Sequence, residues 1–237
     1  MRNISAIYGK EIQSYFNSPM AYIFLLVFAA INGYFFTNTF FLIGESDLRG
    51  LFGQIPLFFL AFIPAITMGL IAKERYSGTM EIITTLPIKD HEFVIAKYFS
   101  AMTLILVGLL FTGIHFITLV KFGTNIDYGA LFCGYFGLAL VAAFYTSIGL
   151  FASSVTENQV IGFIIAVAIV FAFYLMDKVL MFVPAAFAGF FQYLSVDFHF
   201  SNIARGVIDS RNLIYFISLV FVFLNLSVRV LEIRKWR

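Results

Sequence analysis

Few residues of this chain have the types and spacing that nucleotide hydrolysis, metal binding or acid–base catalysis requires. A loop that cradles nucleotide phosphates needs the pattern G-x-x-x-x-G-K-[ST]. The only Gly-Lys pair is Gly9-Lys10, which has Ile4 at the position of the first glycine and is followed by Glu11. The sequence therefore excludes ATP hydrolysis through a loop of this kind.

Metal binding and acid–base catalysis have no better candidates. The three histidines lie on different segments, without a second ligand three or four residues away: His91, His115 and His199. No Asp or Glu lies clearly inside an apolar run, because Glu157 and Asp177 fall at run ends. We predict no metal site and no catalytic activity. His115 lies within an apolar run, where a functional role and a hydrogen bond to a neighbouring helix are both open.

The composition indicates that these residues are carried by membrane-spanning elements. Of the 237 residues, 61% are hydrophobic and 12% are charged, whereas soluble domains have about 25% charged residues. The mean hydropathy is +0.95. The net charge of +2 is too small to suggest a nucleic-acid partner. A single cysteine, Cys133, excludes an intrachain disulfide.

Six apolar runs meet or nearly meet the ~20 residues that a membrane span needs. They cover roughly residues 20–43, 55–72, 98–120, 130–153, 159–176 and 212–230. Residues 1–18 instead have apolar side chains at helical spacing on one face, which favours a helix lying in the membrane interface. We predict an all-α polytopic membrane protein, with residues 1–237 forming a single transmembrane domain.

The longest polar interruption is the insert over residues 73–97, which must lie outside the bilayer because unpaired backbone groups are excluded from hydrocarbon. Ser77 or Thr79 is a candidate N-cap for a first short helix. Pro87 should end that helix, since proline disfavours helical geometry at the residue before it. Asp90 is a candidate cap for a second helix that leads into the next span. We predict a helix–turn–helix that serves as a docking surface.

A second informative stretch, residues 177–211, precedes the last span. Its apolar part, from Val179 to Tyr193, is too short to span, and we expect Pro184 and Gly189 to interrupt it. A re-entrant or interfacial helical hairpin fits better, followed by a short amphipathic helix over Asp197 to Asn212. Asp209 or Ser210 is a candidate cap for the last span. The candidate site residues of this hairpin are Pro184, Gly189, His199, Arg205 and Asp209.

The distribution of lysine and arginine predicts the orientation, because the cytoplasmic side is enriched in both. One side has ten: Arg2, Lys10, Lys73, Arg75, Lys89, Lys97, Arg229, Arg234, Lys235 and Arg237. The other has five: Arg49, Lys121, Lys178, Arg205 and Arg211. Both termini and the 73–97 insert are therefore expected in the cytoplasm, and residues 177–211 on the outer side.

The insert also resembles a known family. Glu74-Arg75, Ser77-Gly78-Thr79, Glu81, Thr85-Leu86-Pro87 and Lys97 resemble, in order and spacing, the cytoplasmic loop of ABC type-2 transporter permeases. Ala96 departs from the pattern, which has glycine before the lysine. The segment from His199 to Ser218 is similar to the gliding-motility-associated branch of these permeases, although Asn212 stands where that branch often has Asp.

The resemblance implies that the insert contains a coupling helix that docks in a cleft of an ATP-binding subunit. It implies transmission roles for Glu74, Arg75, Glu81 and Lys97, with Met80, Ile83 and Leu86 filling the cleft. The full set of ATPase-coupling candidates is Glu74, Arg75, Ser77, Gly78, Thr79, Met80, Glu81, Ile83, Thr85, Leu86, Pro87 and Lys97. The alternative is a solvated amphipathic loop whose ion pairs are self-contained.

The resemblance further implies a non-catalytic permease subunit of an exporter in the bacterial inner membrane. Its partners would be two copies of the ATPase, a second identical or related permease, membrane lipids and an extracytoplasmic or auxiliary membrane subunit. ATP and Mg²⁺ would bind only in the ATPase. Two alternatives stay open: a mechanotransmission complex of the same fold that drives an extracytoplasmic partner, and a stand-alone carrier or membrane enzyme.

Overall fold

The computed structural model describes residues 2–44, 47–124, 126–182 and 184–235, which form helices joined by turns. The helices are α1 (Arg2–Asn17), α2 (Pro19–Thr37), α3 (Arg49–Thr67), α4 (Ala72–Tyr76), α5 (Thr79–Thr85), α6 (Asp90–Phe122), α7 (Tyr128–Val155), α8 (Gln159–Val179), α9 (Ala185–Leu194), α10 (Val196–Ala204) and α11 (Ser210–Lys235). A π-helical turn extends α2 to Ile43, and a 3-10 turn extends α8 to Phe182. Arg237, which was counted for the orientation, lies outside the described residues, as do the side chains of Arg2, Arg234 and Lys235.

Six helical segments of the described chain are long and apolar enough to cross a membrane, which confirms the predicted all-helical protein with six spans. They are Pro19–Ile43, Arg49–Tyr76, Asp90–Phe122, Tyr128–Val155, Gln159–Phe182 and Ser210–Ile233. Each is longer than the apolar run that predicted it, because helical hydrogen bonding continues beyond the last apolar residue. The chain is therefore a multi-pass membrane protein.

The third span is ten residues longer than the run that predicted it. Its helix, α6, has 33 residues and a length of about 50 Å at 1.5 Å per residue, whereas the hydrocarbon layer is about 30 Å thick. Residues 90–97 of the insert are thus the first turns of α6 and do not form a separate helix. The expected helix–turn–helix is wrong in this respect, and α5 is the one short helix that stands between α4 and α6.

The N-terminal helix α1 packs mainly along α6 and α2. The Tyr8 hydroxyl lies 2.9 Å from Oγ1 of Thr103 in α6, and the Tyr15 hydroxyl donates to the Ile66 carbonyl of α3 over 3.3 Å. Burial raises the pKa of the Tyr15 phenol, helped by nearby Glu11, so this phenol stays a neutral donor. Ser18 then caps α2 by accepting from the Met20 N–H.

The centre of the bundle is α7, which packs against α3, α6, α8, α10 and α11. Two of its glycines permit that packing. A Cβ atom at Gly134 would overlap the ring of Phe52, and one at Gly149 would overlap the side chain of Thr67. Both contacts join α7 to α3, so these glycines serve close helix approach, as membrane helices commonly require.

The end of the bundle opposite α1 is held by polar contacts between its connections. The Arg49 guanidinium lies 3.3 Å from a carboxylate oxygen of Asp127, and Asp127 also caps α7 by accepting from the Ala130 N–H. Nearby, Lys178 of α8 pairs with Asp197 of α10 over 2.8 Å. We refer to this end, which includes α9 and α10, as the α9 end, and to the other as the α1 end.

Candidate functional site

The α1 end presents the polar insert as two short helices joined by a tight turn. Gly78 starts α5 with φ +71°, a left-handed conformation that glycine adopts without steric cost. The hydroxyls of Ser77 and Thr79 both donate to the Glu74 carbonyl, over 3.3 and 3.1 Å. They therefore bind the end of α4, and the prediction that either one caps α5 is wrong. The N-cap residue is Gly78 itself.

The short helix α5 has one face on the bundle and one in solvent. Met80 and Ile83 are half-buried and pack against the apolar core. Ile82 and Leu86 are exposed by 66% and 49%, and Tyr76, the last residue of α4, by 81%. Of the three apolar residues expected to fill a partner's cleft, only Leu86 is on the outer face. Tyr76 and Ile82 are the members of this face that sequence reasoning missed.

The polar candidates around α5 are also mostly exposed. Ser77, Gly78, Thr79, Glu81, Thr85 and Pro87 are exposed, and Arg75 is half-buried. Leu86 is extended at φ −78°, ψ 151° and ends α5 immediately before Pro87, which confirms the prediction that proline stops this helix. We call Tyr76, Glu81, Ile82 and Leu86 the α5 face.

Glu74 and Lys97 lie behind the α5 face, in a buried ion-pair network. The Lys97 ammonium, 1% exposed, is 2.8 Å from a carboxylate oxygen of Glu11 in α1 and 3.0 Å from one of Glu74 in α4. Lys10 approaches the other Glu74 oxygen at 3.2 Å. The ring of Phe93 covers the ammonium at 4.9 Å from its centroid. These residues join α1, α4 and α6, and the buried Glu74 and Lys97 are not available to a partner at the surface.

A second set of contacts fixes the start of α6. The Glu92 carboxylate accepts from the Lys89 backbone N–H over 3.2 Å, and the Asn3 amide donates to Glu92 and to the Pro87 carbonyl, each over 3.3 Å. The N-cap residue is Lys89, with Glu92 satisfying its N–H. The prediction that Asp90 caps this helix is wrong by one residue.

At the α9 end, the predicted hairpin residues are partly brought together. His199 is buried, with Nδ1 2.7 Å from the Asn212 side-chain oxygen and Nε2 2.8 Å from the Tyr193 carbonyl, to which it donates. Its ring stacks on Tyr215 at 4.0 Å between centroids. This histidine is a packing element between α10 and α11. Asp209 caps α11, as predicted, by accepting from the Arg211 N–H over 2.8 Å.

The other hairpin candidates do not join that cluster. Pro184 is exposed and precedes α9, and Arg205 is exposed after α10. Gly189 lies inside α9, so the prediction that it interrupts the helix is wrong. Among the described residues, no three His, Cys, Asp or Glu side chains converge as a metal site would require. His115 stacks on Phe36 of α2 at 4.6 Å between centroids.

Comparison with known proteins identifies the family of this chain. A family model described as ABC-2 family transporter protein matches residues 5–215, which include α4, α5 and the ion-pair network. No curated protein matches the chain. Members of this family are the membrane subunits of ABC transporters. Because the match covers most of the chain, this protein belongs to the ABC-2 transporter family and is a transmembrane permease.

Proposed function

We propose that this permease couples ATP hydrolysis in a separate ATP-binding subunit to export of a substrate across the inner membrane. The observation that carries the proposal is the α5 face. It is an exposed apolar and acidic surface at the water edge of the α1 end, on a helix joined to the bundle by turns and buried ion pairs. A soluble domain that docks here would act on α4, and through Glu74 on α1 and α6.

The composition of the α5 face fits a protein partner. Interfaces are built around a few large apolar anchors that are desolvated on binding. Tyr76, Ile82 and Leu86 supply such anchors, and their neighbour Glu81 supplies an exposed carboxylate for a basic residue of the partner. Met80 and Ile83 pack against the bundle, and Ile82 and Leu86 are left facing solvent.

The proposal extends to the partners, the orientation and the branch of the family. ATP and Mg²⁺ bind in two copies of the ATPase, and a second permease, identical or related, completes the membrane domain. Both termini and the α1 end are cytoplasmic, as the lysine and arginine distribution indicates. The segment from His199 to Ser218 supports placement in the gliding-motility-associated branch of the family.

Charge or polarity changes on the α5 face should remove the ATPase. We expect Ile82→Asp or Leu86→Asp to weaken docking by ~2 kcal/mol or more, as for a central interface anchor, and thus by about 30-fold in affinity. Glu81→Lys should also weaken docking of the ATPase. The measurement is the amount of P-loop ATPase that co-purifies with the tagged permease from native membranes in mild detergent, by quantitative mass spectrometry.

The matched control is Ile208→Asp, at the opposite end of the bundle. Ile208 is exposed by 56%, close to the value for Ile82, and lies in the turn between α10 and α11. This variant should retain the wild-type amount of ATPase. Stoichiometric recovery of the ATPase with both α5-face aspartates would refute the docking site, and absence of any ATPase from the wild type would refute the proposed function.

A further inference from the structure

The second span is interrupted at the α1 end, between α3 and α4, in a way that involves another helix. In a continuous helix the N–H of residue 72 would donate to the carbonyl of residue 68. Here the Ser153 hydroxyl of α7 stands between the two groups. It donates to the Met68 carbonyl over 2.8 Å and accepts from the Ala72 N–H over 3.0 Å. We call residues 68–71 the α3–α4 joint.

All three hydrogen-bonding sites of this hydroxyl are occupied in the joint. A serine hydroxyl has one donor and two acceptor sites, and the second acceptor site takes the Ile71 N–H over 3.0 Å. Ser153 is buried with 0% exposure, so water does not compete for these groups. Insertion of a side chain into the helical hydrogen-bond ladder is one of the recognised causes of a sharp helix kink.

The residues around the joint favour this break in the helical hydrogen bonding. Pro64, one turn earlier in α3, has no N–H and already weakens the ladder, and Gly69 is the second residue of the joint. Gly149 lies one turn before Ser153 on α7, and its missing side chain lets α7 approach Thr67 at the end of α3. The close approach at Gly149 therefore places the Ser153 hydroxyl within reach of the open ladder.

The joint also borders free space. A cavity of about 120 Å³ is lined by Gly69, Leu70 and Lys73 together with Ser14 of α1 and Gln159 of α8. The joint thus contacts α7 through Ser153 and also borders unfilled volume, with the Gln159 side chain of α8 close to Gly69. A change in the direction of α4 would use this volume and would require the ion pair between Glu74 and Lys97 to rearrange.

We propose that the α3–α4 joint is a two-state hinge and that Ser153 is the positioning residue that holds it open. In the open state, Ser153 bridges Met68 to Ala72. In the closed state, the Ala72 N–H donates directly to the Met68 carbonyl, α3 and α4 form one helix, and the α5 face moves with α4. The ends of α7 and α8 are thereby linked to the docking surface. The inference deepens the proposed function by naming the element through which ATPase docking reaches the spans.

The first test uses the purified permease alone. Spin labels are placed at Thr85→Cys on α5 and Val160→Cys on α8, two exposed positions of the α1 end, with Cys133 replaced by serine. Ser153→Ala removes the bridge and should close the joint, which shifts the main distance between the labels by roughly 5 Å, about one helical turn. The distance distribution is measured by double electron–electron resonance in detergent or nanodiscs.

Ser154→Ala is the matched control. Ser154 is the next residue of α7 and is equally buried, but its hydroxyl donates only to the Phe151 carbonyl of its own helix. This variant should keep the wild-type distribution. Equal distributions in the wild type, Ser153→Ala and Ser154→Ala would overturn the hinge. Because no ATPase is present, this outcome says nothing against the proposed function.

The second test uses the permease–ATPase complex and a nonhydrolysable ATP analogue, with the labels at Lys73→Cys of α4, which is exposed and is not a docking candidate, and at Ile208→Cys of the α9 end. Analogue binding should shift the label distance in the wild type and in Ser154→Ala. In Ser153→Ala it should leave the already shifted distance unchanged, while the ATPase still co-purifies. A nucleotide-induced shift of equal size in Ser153→Ala would overturn the role of Ser153, whereas failure of the wild type to capture an ATPase would count against the proposed function only.

Discussion

At the scale of single residues, Lys97 joins three helices through one buried charge. Its ammonium is almost completely buried and is shared by two carboxylates, those of Glu11 and Glu74. A buried charge is tolerated only when it is paired, since desolvation of a lone ion costs several kcal/mol. The pairing joins residues 86 positions apart in the sequence, and it fixes α1 and α4 to the same point of α6.

Replacement of Lys97 should therefore destabilise the permease. We expect Lys97→Met to lower the free energy of unfolding by about 3 kcal/mol, because Glu11 and Glu74 both lose this buried ammonium and Glu74 keeps only its contact with the largely exposed Lys10. Lys10→Met is the control, since Lys10 contacts the same Glu74 from a largely exposed position, where an ion pair contributes at most about 1 kcal/mol. The measurement is equilibrium unfolding in mixed micelles of detergent and SDS. Equal losses in the two variants would contradict the assignment of the network's stability to Lys97.

At the scale of helices, the packing of α3 on α7 depends on the absence of side chains at two positions. Gly149 faces Thr67, whose hydroxyl donates within α3 to the Ile63 carbonyl over 2.8 Å. A methyl group at residue 149 would overlap this side chain. The two helices would have to separate at the point where Ser153, one turn away, reaches the α3–α4 joint.

Gly149→Ala should therefore destabilise the bundle although alanine is a better helix former. We expect a loss of about 1–3 kcal/mol in the free energy of unfolding, the usual cost of overpacking. Gly113→Ala in α6 is the control, because a Cβ there meets nothing within 4 Å, and it should be neutral or stabilising by up to ~1 kcal/mol. Both are measured by the same SDS titration. A Gly149→Ala protein as stable as Gly113→Ala would show that α3 and α7 are not closely packed at this point.

The helices also show what sequence reasoning could and could not supply. The six spans follow from the length of the apolar runs, and the stop at Pro87 and the cap at Asp209 follow from local chemistry. The sequence did not predict which side chains of α5 face the bundle and which face solvent. This orientation depends on the residue at which the helix starts, and Gly78 was not predicted as the N-cap residue. The network at Lys97 and the bridge at Ser153 join distant segments, and such contacts leave no signal in one sequence.

At the scale of the whole molecule, the fold separates two chemically different ends. The α1 end contains α1, the α5 face and the buried ion pairs, whereas the α9 end contains the apolar helix α9 and the exposed turn with Val207 and Ile208. Because the number of spans is even, the start of α2 and the end of α11 lie on the same side of the membrane. The greater number of lysines and arginines at the α1 end predicts that this side is cytoplasmic.

This orientation can be tested with single cysteines at the two ends, in a background in which Cys133 is serine. We expect Ile208→Cys to react with a membrane-impermeant maleimide in spheroplasts. Thr85→Cys, exposed on α5, should react only after the membrane is permeabilised, because the reagent cannot cross the hydrocarbon layer. The readout is the labelled fraction on a gel, with full labelling of both variants in detergent as the control for reactivity. Labelling of Thr85→Cys in intact spheroplasts, with Ile208→Cys protected, would invert the topology and place the α5 face where no ATP-driven partner could reach it.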